Sequence, residues 1–108
     1  MRSTAGYWKF HRKMREWQWY DDPVTLAVWV HVLNDACWKK SRVGGEELVA
    51  GQLIIGLHNY AGECGVTVGQ LRLALKKLAQ CGAIAKRSTN RYTVITVQNW
   101  KEYQGKSF

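Results

Sequence analysis

The side chains best suited to binding a ligand in this 108-residue chain are cations of its second half. Residues 66–108 contain eight Lys and Arg against one acidic residue, a net charge of +7, whereas residues 1–65 contain eight against seven, a net of +1. Charge concentrated in this way favours a polyanion as partner, and a basic solubilising surface is the alternative. Six of these cations fall in one predicted helix or around one predicted β-turn: Arg72, Lys76, Lys77, Lys86, Arg87 and Arg91.

A helix with a marked start and end is predicted over residues 67–81. Thr67 and Gln70 match the capping box, in which hydroxyl and amide each satisfy an exposed backbone N–H of the other residue. Gly82 suits the left-handed residue that ends a helix. Apolar residues at positions 68, 71, 74, 75 and 78 form one stripe at the helical period. The opposite face and its flanks hold the candidate DNA-binding residues: Thr67, Gly69, Gln70, Arg72, Leu73, Lys76 and Lys77.

This polar face suits the major groove of double-stranded DNA. Its N-terminal residues would reach base edges, Lys76 and Lys77 would neutralise phosphates, and Gly69 would allow a close approach. Leu73, which is apolar at the centre of the face, would meet a thymine methyl group. The alternatives are an ordinary solvated helix and a protein interface centred on Leu73.

The segments on either side of this helix complete a helix-turn-helix with a wing. Residues 57–64 place apolar side chains on one helical face, and Gly65 leaves a short turn before the next helix. Ala83–Arg87 and Arg91–Val97 predict a hairpin with the polar turn Ser88-Thr89-Asn90, in which Asn90 can adopt a positive φ. Its tip suits phosphate or minor-groove contacts, and protection of an edge strand by charge is the alternative. The candidate residues here are Lys86, Arg87, Ser88, Thr89, Asn90 and Arg91.

The first half of the chain predicts helices that support this motif. A short amphipathic helix is expected within Tyr7–Tyr20. Asp22 as cap and Pro23 at the first helical position predict a second helix, which runs to about Trp38 and is apolar on nearly all sides. Such a helix forms the centre of a core, or packs the core with one face and a second subunit with the other. A homo-oligomer is therefore one expected partner.

The middle of the chain completes the predicted fold. Lys39–Gly45 is polar and fits neither helix nor strand, whereas Glu46–Val49 and Gln52–Ile55 are extended segments that suggest a hairpin. The whole is predicted to be an α+β winged helix-turn-helix with three to four helices, a small antiparallel sheet and a β-hairpin wing. We expect a single domain over residues 1–108, with the helix-turn-helix at about 57–81 and the wing at about 83–97.

The sequence predicts no enzymatic activity, no metal site and no cofactor. The spacing of His58, Cys64 and Cys81 matches no zinc pattern, and neither a nucleophile motif nor a carboxylate pair on an apolar face is present. Three cysteines without a CxxC pair predict reduced thiols in a cytoplasmic protein. No secretion signal or membrane-spanning run is seen, so no membrane partner is expected.

Three segments of the chain resemble the N-terminal winged-helix domain of phage replisome-organiser and DnaD-like replication-initiation proteins. They are GYWKFHRKMREWQWYDDP, GQLIIGLHNYAGECGVTVGQLRLALKKLAQCGAI and STNRYTVITVQNWKEYQ, within Gly6–Gln104. The last segment is the most distinctive, and the middle one is also similar to bacterial winged-helix repressors of the GntR kind. Gly56 departs from the Ser or Thr helix cap that the family commonly has, which predicts a frayed start to the first helix of the motif.

The resemblance implies a process as well as a fold. It implies binding of double-stranded DNA at an origin in phage-type replication initiation, inside the cytosol or nucleoid of a bacterial host. It also implies the replicative helicase or its loader as a partner, although we expect the family's separate C-terminal domain to be missing from this chain. Two other functions stay open. One is a winged-helix transcriptional regulator that binds an operator, and the other is a protein-interaction or oligomerisation module of a replication protein.

Overall fold

The computed structural model of the chain has an α+β architecture and describes residues 12–37, 39–43 and 45–103, without the side chain of Lys13. None of the helices in these ranges has the length and apolar character needed to cross a lipid bilayer. The α-helices are α1 (Pro23–Asp35), α2 (Leu57–Cys64) and α3 (Val68–Gln80), the strands are β1 (Ser41–Val43), β2 (Glu46–Leu48), β3 (Gln52–Ile55), β4 (Ile84–Ser88) and β5 (Thr93–Val97), and Arg12–Glu16 and Trp100–Glu102 are 3-10 helices.

Helix α1 begins at the predicted cap and ends earlier than predicted. An Asp22 carboxylate oxygen accepts a hydrogen bond from the Thr25 backbone N–H at 3.2 Å, and Pro23 occupies the first helical turn. The helix ends at Asp35 because the backbone of Cys37 makes hydrogen bonds of 2.7 and 2.9 Å to the segment that leads into β3. The predicted end, at about residue 38, lies outside the described residues.

The predicted N-terminal helix is described only from Arg12 onward, and residues 7–11 lie outside the described part of the chain. The described part is a 3-10 helix followed by turns, rather than an α-helix. Its side chains nevertheless reach the core, because Met14 is buried and the Trp17 ring lies 5.6 Å from the Trp29 ring of α1. The apolar residues of this segment therefore pack as the amphipathic pattern predicts, but on a tighter backbone.

Strand pairing differs from the prediction in the middle of the chain. Strand β2 pairs antiparallel with β1, which falls in the predicted loop, around a turn in which Gly45 has a φ of +81°. The predicted hairpin between residues 46–49 and 52–55 is therefore wrong, and β3 pairs with β5 instead. Leu53 and Ile55 are buried in the core, and they lie opposite the buried residues Ile95 and Thr93 of β5. That partner is distant in sequence, and local patterns give no sign of it.

The main sheet has the strand order β3-β5-β4, and its two faces are covered by different elements. The inner face packs against the three α-helices and holds the buried side chains that join the main core: Leu53, Ile55, Ile84, Ile95 and Val97. By the alternation of side chains along paired strands, Lys86, Ser88 and Thr93 also belong to the inner face, and the outer face consists of the other six residues: Gln52, Ile54, Ala85, Arg87, Val94 and Thr96.

The β1–β2 hairpin covers this outer face. Leu48 of β2 and Val94 of the outer face are 1% and 3% exposed, although neither belongs to the main core. The Val49 backbone N–H donates to the Gln52 side-chain oxygen at 3.0 Å, and the Gln52 amide donates in turn to the Thr96 hydroxyl at 3.1 Å. The β1–β2 hairpin thus forms a second layer on the outer face of the main sheet.

Candidate nucleic-acid interface

Helices α2 and α3 are joined by the short turn that the sequence predicts. Gly65 has a left-handed φ of +73° and ends α2, and Gly82 has a φ of +81° after α3. The predicted residues 57–64 are all helical, although Gly56 gives no side-chain hydrogen bond to the start of α2. The turn between the two helices contains three residues, 65–67.

The capping box at the start of α3 is confirmed, and it restricts what its side chains can do. The Thr67 hydroxyl accepts from the Gln70 N–H at 3.1 Å, and the Gln70 side-chain oxygen accepts from the Thr67 N–H at 2.9 Å. Both acceptor groups are therefore committed to the backbone. The Thr67 O–H and the Gln70 amide N–H₂ are left as donors, which suit phosphate oxygens or acceptors on base edges.

Helix α3 has the buried side and the exposed side that the sequence predicts. Leu71, Ala74, Leu75 and Leu78 are buried in the core, whereas the opposite side is open to solvent. Leu73 is 53% exposed, one of the few large apolar side chains of the described residues that are so open. The exposed candidate residues of this face are Gly69, Gln70, Arg72, Leu73 and Lys76. We call these five residues the α3 face.

The fold does not require a glycine at position 69. A Cβ at this position would meet only the Thr67 hydroxyl, at 3.9 Å, which is an ordinary van der Waals contact. Its backbone is helical, without a positive φ. Glycine weakens a helix relative to alanine, so its presence in the first turn of α3 costs stability without a visible structural benefit.

Lys77 is not part of the open surface. Its ammonium group lies 2.6 Å from Asp22 Oδ2 and 5.3 Å from the centre of the Trp19 ring, and the side chain is only 28% exposed. The hydrogen bond from Lys77, together with that from the Thr25 N–H, holds the pKa of Asp22 below its ordinary value. Asp22 therefore caps α1 with one oxygen and binds α3 with the other.

The turn of the β4–β5 hairpin lies further along the chain than predicted. Ser88 is the last residue of β4 and pairs with Thr93, so the turn is formed by residues 89–92. The Thr89 hydroxyl accepts hydrogen bonds from the backbone N–H groups of Arg91 and Tyr92, at 3.2 and 3.1 Å. The expected positive φ at Asn90 is absent, because this hydroxyl closes the turn without a left-handed residue.

Two side chains of the β4–β5 hairpin converge on a carboxylate of the β1–β2 hairpin. The Arg87 guanidinium donates to Glu46 Oε1, and the Tyr92 hydroxyl donates to Glu46 Oε2 at 2.7 Å. The bond from Tyr92, followed by that from Arg87, lowers the pKa of Glu46. The same bond raises the pKa of Tyr92, because the carboxylate stabilises the protonated phenol. Arg87 is thus already paired with an anion.

The structure therefore divides the six candidate cations into two groups. Lys77 and Arg87 are paired with carboxylates. The other four are exposed and form no ion pair within residues 12–37, 39–43 and 45–103: Arg72, Lys76, Lys86 and Arg91. Lys86 lies on the same sheet face as Ile84, the face that packs against the helices, and α3 packs beside β4. The inner face of the β4–β5 hairpin, which carries Lys86, thus adjoins α3, which carries Arg72 and Lys76.

Sequence reasoning missed the partners of the paired cations. Asp22 was predicted only as a helix cap, Glu46 only as a residue of an extended segment, and Tyr92 and Trp19 were assigned no role. The Asp22–Lys77 and Glu46–Arg87 pairs span 55 and 41 residues of sequence. The one available signal was the presence of acidic residues in an otherwise basic protein, and that signal does not identify which cation each acid meets.

Within the part of the chain that the structure describes, no group of three metal-ligating side chains comes together, and no disulfide joins Cys37, Cys64 or Cys81. Comparisons of the chain with protein-family models, with curated proteins and with solved structures found no match. The arrangement of α3 and the β4–β5 hairpin is therefore interpreted from its own geometry and charge.

Proposed function

We propose that this domain is a winged helix-turn-helix that binds double-stranded DNA without catalysing a reaction on it. In this proposal α2 and α3 are the helix-turn-helix, α3 is the recognition helix, and the β4–β5 hairpin is the wing. The observation that carries the proposal is a set of four exposed cations on α3 and the β4–β5 hairpin that form no ion pair with another described residue: Arg72, Lys76, Lys86 and Arg91. Their distribution matches a polyanion that contacts both elements.

The α3 face has the composition expected of a helix that enters a major groove. Arg72 and Lys76 have the length and charge to reach phosphates or guanine edges, and the exposed Leu73 suits a thymine methyl group. The free donors of Thr67 and Gln70 lie at the helix N-terminus, where the helix dipole favours a phosphate. Gly69 fits a position at which DNA comes close to the helix backbone.

The proposed process is phage-type replication initiation, and it rests on the resemblance of the sequence to replisome-organiser and DnaD-like proteins. Origin DNA is then the binding partner, the replicative helicase or its loader is the proposed protein partner, and the bacterial cytosol or nucleoid is the location. A transcriptional regulator would use the same α3 face, but we expect it to act as a dimer on two half-sites about one helical turn apart. Selection of a preferred sequence from random duplexes separates these two roles.

Fluorescence anisotropy with a labelled duplex across a salt series tests the proposal. We expect binding at low salt that weakens steeply as salt rises, because each neutralised phosphate releases counterions. Four phosphate contacts correspond to a slope of about −3.6 in a plot of log K against log salt concentration. Undetectable binding at low salt, or binding that salt does not change, would contradict DNA binding by these cations.

Gly69→Ala is expected to change stability and DNA binding in opposite directions. The fold has room for the methyl group, so the free energy of unfolding should rise by about 0.5 kcal/mol. Duplex binding should weaken by about tenfold, since the added methyl group would stand between the helix and DNA that packs against it. Urea denaturation and anisotropy on the same preparation measure both effects. A variant that is stabilised and binds duplex as tightly as the wild type would remove Gly69 from the interface.

A protein-interaction module is the second candidate, and one observation favours it. Leu73 is 53% exposed at the centre of the α3 face, where a purely solvated helix would carry a polar residue. If this role is correct, Leu73→Lys should abolish capture of the helicase or its loader. If DNA is the partner, the added cation should leave the salt-dependent part of duplex binding in place.

A further inference from the structure

The pair of donors on the β4–β5 hairpin, Arg87 and Tyr92, has the geometry of an anion site. A guanidinium and a phenolic hydroxyl converge on the two oxygens of a single carboxylate, Glu46, one donor to each oxygen. Two oxygens on one central atom are also what a phosphodiester offers through its non-bridging oxygens, and arginine binds both kinds of group in the same way. Glu46 is thus a carboxylate held where a phosphate would fit.

The ion pair that fills this site is partly open to solvent. The Arg87 side chain is 59% exposed and that of Glu46 is 22% exposed, so water and salt screen their attraction. The strand that carries Glu46 belongs to a two-stranded hairpin of three residues per strand, which contributes little stability of its own. Leu48 of the same strand is buried behind the sheet, so the end of β2 away from Glu46 is held by packing that does not involve the Glu46 carboxylate.

The surroundings of the site favour a polyanion over a single carboxylate. Lys86 precedes Arg87 in β4, Arg91 precedes Tyr92 in the turn, and both cations are exposed without an ion pair to another described residue. Glu46 pairs with Arg87 alone among these three cations, and Lys86 lies on the opposite face of the sheet from Arg87. A DNA strand can supply a phosphate to each of them at once, which a lone carboxylate does not.

We propose that Arg87 and Tyr92 form a phosphodiester-binding site, and that Glu46 occupies this site in the free protein and leaves it when duplex DNA binds. This inference rests on the proposed DNA-binding function and adds a third contact to the hairpin, made by residues that are already paired in the free protein. Displacing Glu46 costs part of the binding free energy. The β1–β2 hairpin consequently lowers the affinity of the domain for DNA. It lowers the affinity for a ligand with a single anionic group even more, because such a ligand gains no further contacts to offset the displacement of Glu46.

Glu46→Gln tests the exchange against a closely matched control, Glu47→Gln. Both variants remove one negative charge from β2, but Glu47 lies on the opposite side of the strand, 59% exposed and 4.0 Å from Arg42. We expect Glu46→Gln to bind a labelled duplex about fivefold more tightly than the wild type, the gain from releasing one exposed ion pair. Glu47→Gln should change affinity by less than about twofold, through its effect on net charge alone.

The gain must depend on Arg87. In an Arg87→Gln background, Glu46→Gln should no longer tighten binding, and Arg87→Gln alone should make the salt slope shallower by about one unit at most. Equal gains from Glu46→Gln and Glu47→Gln, a gain that survives in the Arg87→Gln background, or weaker binding by Glu46→Gln would each overturn the exchange while leaving DNA binding intact. Absence of duplex binding in the wild type and in both Gln variants would instead overturn the proposed function, and the exchange with it. Circular dichroism and urea denaturation show whether each variant is folded.

Discussion

Replacing Arg72 and Lys76 together by alanine is expected to weaken binding of duplex DNA by about a hundredfold, about tenfold for each charged contact that is lost. Both side chains are exposed on the α3 face and neither is paired with an acid among the described residues, so their charge is available to phosphates. The salt slope should become shallower by about two units, because two fewer counterions are displaced. Anisotropy across a salt series measures affinity and slope in one experiment.

The control for this variant is a double substitution that removes the same charge elsewhere. Arg15 and Lys40 are exposed cations of the first half of the chain, outside α3 and the β4–β5 hairpin. Arg15→Ala with Lys40→Ala should leave the salt slope unchanged. Neither double variant should change the free energy of unfolding by more than about 0.5 kcal/mol, since surface substitutions rarely do. If both variants weaken binding equally, only net charge matters and α3 is not the contact.

Asp22→Ala is expected to lower the free energy of unfolding by about 2 kcal/mol, since it removes the cap of α1 and the partner of Lys77 at once. Asp22→Asn separates the two effects, because asparagine caps a helix about as well as aspartate but carries no charge. We expect Asp22→Asn to lose only the ion pair, up to about 1 kcal/mol. Urea denaturation of the three proteins gives the comparison. Equal losses in Ala and Asn variants would mean that the cap contributes nothing.

The contribution of the Asp22–Lys77 pair should also depend on pH in one direction. The pKa of Asp22 is lowered in the folded protein, so folding favours the carboxylate and the stabilisation is present above the pKa of the unfolded chain. It is lost as the pH falls below about 4 and passes through the lowered folded pKa. The difference in stability between the wild type and Asp22→Asn should therefore be largest near neutral pH and shrink in acid.

The same pair predicts how Lys77 acts in DNA binding. Lys77→Met should destabilise the domain as Asp22→Asn does and leave the salt slope unchanged, because the ammonium group is already paired with Asp22 and lies beside the Trp19 ring. A slope that becomes shallower by about one unit would show that Lys77 exchanges Asp22 for a phosphate. In that case Asp22 would be displaced from Lys77 by DNA in the way that we propose for Glu46 and Arg87.

The exposed face of α3 could be read from the sequence because every signal for it is local. The stripe of apolar residues, the Thr67–Gln70 box and the glycines at 65 and 82 each depend on residues within one or two helical turns, and all are found in the structure. The cap at Asp22 is local in the same sense. Such patterns act through backbone hydrogen bonds and burial that neighbours in sequence make with one another, so α1, α2, α3 and the open side of α3 follow from local sequence.

Which cations are open to a ligand, and how the strands pair, depends on contacts between distant parts of the chain. Strand β3 does not pair with β2, its neighbour in sequence, but with β5, about 40 residues later. Strand β1 forms where the sequence predicts a loop. Lys77 and Arg87 meet carboxylates that lie 55 and 41 residues away. The physical reason is that an ion pair or a strand pair forms where the folded chain brings its partners within a few ångströms, and composition does not encode that distance. The excess of positive charge in residues 66–108 predicts an anionic partner. Of the six candidate cations, Lys77 and Arg87 pair with acids of distant segments, whereas Arg72, Lys76, Lys86 and Arg91 form no ion pair with another described residue.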